Sequence, residues 1–389
     1  MAGSTTDAGP LSGVLVADFS RVLAGPYATM LLADLGAEVI KVESPAGDET
    51  RTWTPPTRDG TATYYLGINR GKRSVVLDLR DPADAALGRE LARRADVVIQ
   101  NFRVGALARY GLDVDAVRAA NPRVVYASIS GFGAGAGADV PGYDLIAQAV
   151  SGLMSVTGRP DGEPLRAGVA VVDVLAGKDA AIGILAALRH RDRTGEGQHV
   201  EVNLLSSVLS GMVNQSSAYV AGEVVPVRMG NQHPSVYPYE PLPTADRELV
   251  VAAANDGQFR ALCTVLGIPE VAQDPRFARN ADRTARRDEL RPLLVAQLAT
   301  RGAGEWFDLL TAAGVPCGPI NGIDGGFATA ERFGLDPVVS VGSVPTTRHP
   351  ITFSATPATY RLPPPSLDEH GAEVRAWLAA PSDTPTSHT

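Results

Sequence analysis

The chain has 389 residues, enough for two domains, and its 44% hydrophobic and 20% charged content is that of a water-soluble globular protein with a sizeable core. A net charge of −8 argues against nucleic acid or a membrane surface as partner of the whole chain, and no run approaches the roughly 20 apolar residues that a spanning helix needs. Cys263 and Cys317 are too few for a disulfide framework, and residues 1–9, small and polar, carry no secretory-signal pattern, so the expected setting is the cytoplasm.

In chain order, residues 13–18 read as a buried strand, 26–35 as a helix with Gly25 before it and Pro26 in its first turn, and 38–43 as a second strand. Further units follow: strand 74–79, helix 82–95, strand 96–102, helix 114–120 and strand 124–130. Strands alternating with helices predict an α/β fold, a Rossmann-like parallel sheet covered on both faces, with ligands at the carboxyl ends of the strands. The residues past those ends are 21–25, 101–103 and the glycine-rich 131–137. Gly131, Gly133 and Ala136 fit a relaxed dinucleotide fingerprint. Asp139, Pro141 and Gly142 intervene before the next helix, however, so the stretch reads as a loop, with Tyr143-Asp144 starting that helix. Arg70-Gly71-Lys72-Arg73, followed by Arg80, Arg103 and Arg109, is either a local basic patch for a polyanionic ligand or a solvated charged face.

Residues 169–172 read as a strand, and Ala180, Ile182, Leu185, Ala186 and Leu188 recur at helical spacing as far as His190 and Arg191. Asp173 falls at that strand-to-helix junction, where local pattern alone makes it a helix N-cap. A turn at 194–198, a strand at 199–203 and a helix from 204 to about 220 complete a first domain, 1–221. The pattern changes near Gly222, with a linker or lid loop through Gly230 to Pro238. A hairpin of 239–243 with 248–253 and helices at 257–266, 285–299 (kinked at Pro292) and 304–313 then make a smaller α+β domain, 222–332. Residues 333–389 are too short for a third domain and are expected to return to the first, with a final helix at 369–379 and disorder over the last eight or so. No metal-ligand spacing, P-loop or Gly-x-Ser-x-Gly elbow is present.

Many short motifs, in order, resemble the class III CoA-transferase family, also called the carnitine-dehydratase-like or bile-acid-inducible family. They are Asp18-Phe19-Ser20-Arg21-Val22-Leu23-Ala24-Gly25-Pro26, Leu35 to Glu43, Asn69 to Ser74, Asn101-Phe102, Gly142-Tyr143-Asp144, Ser151 to Gly158, Val172-Asp173 and Gly318-Pro319-Ile320-Asn321. The resemblance implies an interlocked, ring-like homodimer and places Asp173 at the position of the family's catalytic aspartate. It carries CoA binding to Val22, Ala24, Leu77, Arg80, Asn101, Phe102, Ala106 and Arg109, with the two arginines on the phosphates and Phe102 and Leu77 on adenine. Ser44 departs from some relatives with an arginine there, a contact that is lost or supplied by Lys41 or Arg73, and Pro141 departs from some that carry lysine. The glycine-containing lid corresponds to the loop of Gly230, whose neighbouring amides are candidate oxyanion donors, each worth about 3 kcal/mol in such a role.

The chemistry so implied needs no ATP, metal or tightly bound cofactor. A carboxylate with a reference pKa of about 4 is ionised at neutral pH and attacks a thioester without a separate base. Acyl-aspartyl anhydride and aspartyl-CoA thioester intermediates would then pass CoA from donor to acceptor. The resemblance is nearest to members that use succinyl-CoA and dicarboxylates, for which Arg21, Arg51 or Arg166 could pair with a distal carboxylate. Tyr143 and Asp144 belong to the same substrate site. Racemases of the family use histidine where Tyr143 stands, and a phenol with a reference pKa of about 10 is a poor base, so proton transfer is the weaker alternative. A non-catalytic CoA-binding protein is a second alternative.

Overall fold

The computed structural model describes residues 9–381, so the expectations for the first eight residues and the last eight lie outside it. Contacts divide the described residues into two compact units, one of residues 9–153, 166–224 and 336–381 and one of 154–165 and 225–335.

The first unit is built on strands β1 (Leu15–Asp18), β2 (Glu38–Glu43), β3 (Lys72–Val76), β4 (Val97–Gln100), β5 (Val125–Ser130) and β6 (His199–Asn203). All pair in parallel, in the order β3-β2-β1-β4-β5-β6. This is the doubly wound order, in which winding reverses between β1 and β4 and leaves a crevice at their carboxyl ends. Helices α1 (Ala24–Asp34), α2 (Pro82–Arg94), α3 (Val114–Ala120), α4 (Asp144–Val150), α5 (Val171–Thr194), α6 (Leu204–Gly211) and α7 (Asn214–Val220) accompany the sheet. The central strands are valine- and isoleucine-rich because both faces are covered: Val16, Val39, Ile99 and Ala127 pack with α1 and α5, while Ala17, Ile40, Val98 and Tyr126 pack on the other side with α2 and α3. The C-terminal stretch joins this unit, where helix α11 (Gly371–Ala379) buries Val374 and Leu378 against the second layer and Asp368 accepts the Val76 amide at 2.7 Å.

The second unit holds an antiparallel sheet of β7 (Tyr239–Pro243), β8 (Glu248–Ala252) and β9 (Cys317–Pro319), with helices α8 (Asp256–Val265), α9 (Arg287–Leu298) and α10 (Ala303–Ala312) closing a core around Phe259, Leu294 and Trp306.

Several local expectations are corrected. Residues 169–172 form no strand: α5 begins at Val171, so Val171 and Val172 are its first two helical residues. The expected single helix 204–220 breaks at Met212 and Val213, where Val213 takes φ 34°. In the second unit the helix placed at 285–299 begins at Arg287 and holds Pro292 inside, with a separate short helix (Asn280–Ala285) before it. The basic run is not a patch. Arg70 is buried on Asp34 and Lys72 on Asp18, leaving only Arg73 partly exposed and paired with Glu38 and Glu373. Lys41 is also buried, so neither it nor Arg73 reaches toward a nucleotide in place of Ser44.

Candidate active site

The crevice between β1 and β4 opens into a cleft of about 320 Å³, lined by the turn after β1 (Arg21, Val22, Leu23, Ala24), the turn after β4 (Asn101, Phe102, Arg103), the 131–142 loop, Tyr143 and Asp173. Two close approaches between helices and loops set its shape. A Cβ on Gly177 would lie 2.6 Å from the Ala24 carbonyl oxygen, so only glycine lets α5 pack this closely on the first turn of α1. Asp173 lies four residues earlier, one helical turn away on the same face, and is thereby held beside the start of α1. The glycine-rich loop is a closed excursion: a Cβ on Gly131 would lie 2.6 Å from the Gly142 Cα, and that glycine–glycine neck brings Tyr143 and Asp144 back beside the end of β5.

Asp173 is not the cap of its helix. The N-cap position of α5 is Ala170, whose methyl side chain offers no hydrogen-bond acceptor. Asp144 supplies the missing acceptor from the first turn of α4: its Oδ1 accepts the Val172 amide at 2.8 Å and the Asp173 amide at 3.2 Å. Its Oδ2 accepts Gln148 Nε2 at 2.6 Å, and the buried Gln148 accepts the Ala167 amide at 2.8 Å, tying down the strand-free stretch before α5. Among the described residues the Asp173 carboxylate itself has no hydrogen-bond partner. Burial, reinforced by the charge of Asp144, pushes its carboxyl up to about 7. The sequence-based premise of a carboxyl at its ordinary value is therefore corrected: near neutral pH Asp173 exists in both protonation states, and once deprotonated it is a more basic nucleophile than an exposed carboxylate.

The eight residues implied for CoA fall into two cavities. Val22, Ala24, Asn101 and Phe102 line the cleft with Asp173, whereas Leu77, Arg80, Ala106 and Arg109, again with Phe102, line a second cavity of about 200 Å³ at the ends of β2 and β3. Phe102 is common to both. Arg80 is exposed and paired with Asp78 at 2.8 Å, and Arg109 lies over the Tyr110 ring. Arg21 stands at the rim, paired with Glu49 at 2.9 Å and 5.4 Å from the Phe102 ring centre. Tyr143 is 54% exposed at the mouth. Arg51 is not available to a substrate: its guanidinium grips Glu43 at 2.8 and 2.7 Å and bonds Tyr65 Oη at 2.6 Å. Arg166 is exposed and bonds only the adjacent Ala167 carbonyl among the described residues. Gly230 lies in the second unit at φ 63°, and its amide donates to the Gly158 carbonyl at 3.0 Å.

Sequence reasoning missed the role of Asp48, whose carboxylate accepts the Val22 amide at 3.3 and 3.4 Å. It also missed Gln148. Tyr64, pushed up to about 12 by burial and the charges of Asp173 and Asp144, likewise senses the site. Asp48 and Tyr64 lie in the stretches 48–53 and 63–66, which also resemble the family members that use succinyl-CoA and dicarboxylates, but nothing in the sequence assigns either residue its contacts, and Gln148 carries no signal at all.

A doubly wound sheet with a carboxylate poised in the crevice of its switch point defines a ligand-binding α/β enzyme. The chain belongs to CoA-transferase family III, which it matches over residues 11–371, and it is a CoA-transferase. It is 47% identical to the succinate–glutarate CoA-transferase of Agrobacterium fabrum, over 97% of this chain and 98% of that one. It is 40% identical to the acetyl-CoA:oxalate CoA-transferase of Acetobacter aceti, over 96% and 97% of the two chains. Among solved structures, a CAIB/BAIF family protein from Brucella suis superposes with a TM-score of 0.86 at 43% identity, covering 96% of this chain and 100% of that one. Rv3272 from M. tuberculosis gives a TM-score of 0.86 at 33% identity, covering 94% and 99%.

Proposed function

We propose that the protein moves CoA from succinyl-CoA to a dicarboxylate such as glutarate, with Asp173 as the covalent carrier. The observation that carries this reading is the Asp173 carboxylate, unpartnered among the described residues, in the wall of the switch-point cleft. The printed activities of the Agrobacterium relative and of the mouse succinyl-CoA:glutarate CoA-transferase, 39% identical, support the choice of substrates.

The nucleotide of CoA would lie in the cavity of Leu77, Arg80, Ala106 and Arg109, its phosphates drawing the exposed guanidinium groups away from their present partners. The thioester would pass Phe102 and reach Asp173 between Val22, Ala24 and Asn101. The Asp173 carboxylate attacks the thioester carbonyl, the carbon–sulfur bond breaks, and CoA leaves as thiolate, giving an acyl-aspartyl anhydride. Thiolate then attacks the aspartyl carbonyl and expels the donor carboxylate, giving aspartyl-CoA thioester. An acceptor carboxylate entering past Arg21, Tyr143 and Asp144 reverses both steps. One thioester replaces another, so no ATP, metal or resident cofactor enters the reaction. Amides of the Gly230 loop would meet the developing oxyanions, and for its own amide to serve, Gly230 must first release the Gly158 carbonyl.

The working form would be an interlocked homodimer in the cytoplasm, its domains being 1–221, 222–332 and the returning 333–389. The apolar side chains of Ile146, Val150, Ile182, Tyr219 and Val220, 44–78% exposed in one chain, support a partner subunit. Among the described residues no helix is long and apolar enough to cross a membrane. Incubation with succinyl-CoA and glutarate, followed by chromatography of acyl-CoA species, tests the reaction. Glutaryl-CoA appearing as succinyl-CoA falls is the expected result. No new thioester with any of a panel of dicarboxylates would overturn it.

A further inference from the structure

The turn from Ser20 to Val22, which forms one wall of the cleft, is held by three side chains from three separate elements. Lys41 on β2 donates to the Ser20 carbonyl at 3.0 Å. Asn101, after β4, brackets Arg21, accepting its amide at 2.9 Å and donating to its carbonyl at 2.7 Å. Asp48 accepts the Val22 amide and is itself paired with Lys41 at 2.8 Å, both side chains being almost wholly buried. Under this grip Val22 takes φ 66°, a left-handed conformation that a β-branched residue rarely adopts. Such a conformation persists only where its surroundings impose it, and these collect at functional sites.

The clamp is anchored from below. The Asp48 amide donates to Glu43 at 2.9 Å, Glu43 is held by Arg51, and Lys41 lies beside Asp18, which pairs with Lys72. Three carboxylates and three cations thus form a charge-balanced buried network beneath one strained residue. Asp48 does not line the cleft; it touches the turn directly at the Val22 amide and indirectly through Lys41, and its Oδ1 also accepts the Thr50 amide at 3.0 Å.

We infer that Asp48 is a positioning residue of the CoA-thioester site: by holding the Val22 amide it fixes the left-handed turn that presents Val22 and the first turn of α1 to the donor. This rests on the reading of the cleft as the CoA-thioester site.

The test measures kcat, donor KM and acceptor KM, with thermal unfolding alongside, for Asp48→Asn, Asp48→Ala, Val22→Gly and Asp48→Ala combined with Val22→Gly. Asparagine keeps a carbonyl for the Val22 amide and should stay within about threefold of wild type, whereas alanine should raise donor KM about tenfold or more with acceptor KM unchanged. Glycine adopts positive φ without strain, so measured against Val22→Gly alone, adding Asp48→Ala should raise donor KM by much less than tenfold. An alanine variant that loses thermal stability but keeps wild-type donor KM would show a structural role only and overturn the proposal, as would an undiminished effect of Asp48→Ala in the Val22→Gly background. If Asp48→Ala does not fold, Lys41→Met with Asp48→Leu preserves the charge balance, and an unchanged donor KM in that variant overturns the proposal equally. Calorimetric titration of the same variants with free CoA reads the clamp without turnover. An inactive wild type would therefore count against the proposed reaction, while the Kd values would still decide the role of Asp48.

Discussion

The Asp144 carboxylate accepts the backbone amide of Asp173 at 3.2 Å, so the residue that caps α5 is also the charge that faces the proposed nucleophile. One side chain thereby closes the open end of α5 and helps to raise the Asp173 carboxyl. The two effects separate by mutation. Asp144→Asn keeps an acceptor for the helix amides and removes the charge, so the pH midpoint of activity should fall by up to about one unit, burial still holding Asp173 above its ordinary value. Asp144→Ala removes the cap as well and should cost about 1 kcal/mol of stability, read by chemical denaturation.

The proposed attack on the thioester needs Asp173 deprotonated. Because burial and Asp144 lift it to about 7, kcat/KM should climb from pH 5, reach half its plateau near pH 7 and level off above about pH 8. A profile flat from pH 5 upward would mean a nucleophile near the ordinary carboxylate value.

The same shift bears on folding. A carboxyl that holds its proton more tightly folded than unfolded loses folding free energy as pH rises from its unfolded value, about 4, through its folded value, about 7. Asp173→Asn escapes that loss. Its melting temperature should exceed wild type at pH 8, by an amount equivalent to about 2–4 kcal/mol, and the gap should close toward pH 4. An equal gap at both pH values would remove protonation as the cause.

Gly177→Ala places a methyl group 2.6 Å from a backbone oxygen of α1, which cannot move aside as a side-chain tip would. The expected result is a loss of about 1–3 kcal/mol and a fall in kcat larger than any change in acceptor KM, because α5 carries Asp173 away from the cleft wall. Steady-state kinetics with a matched denaturation curve would show whether the two losses come together.

The strands and most helices of the first unit were legible because their signals are local: valine- and isoleucine-rich runs, helical spacing of apolar residues, and Pro26 in a first turn. What failed was set by distant partners. The run Val-Ala-Val-Val before Asp173 has the composition of a strand, but Asp144, 29 residues upstream, caps Val172 and Asp173, and Gly177 seats the helix on α1. Arg70 and Lys72 read as surface charges, since Asp34 and Asp18 stand 36 and 54 residues away in the chain. The alternation of strands and helices already pointed to 21–25, 101–103 and 131–137, which line the cleft, whereas Asp173 and the residues of the second cavity came from resemblance; the contact of Asp48 with the Val22 amide, 26 residues away, is not encoded in any local pattern.

Intact-protein mass after brief mixing with succinyl-CoA, for wild type and Asp173→Asn, tests covalent catalysis by Asp173 most directly. Wild type should gain the mass of CoA less one water, hydroxylamine should remove this adduct, peptide mapping should place it on Asp173, and Asp173→Asn should gain nothing. An adduct on another residue, or wild-type turnover equalled by Asp173→Asn, would contradict covalent catalysis by Asp173.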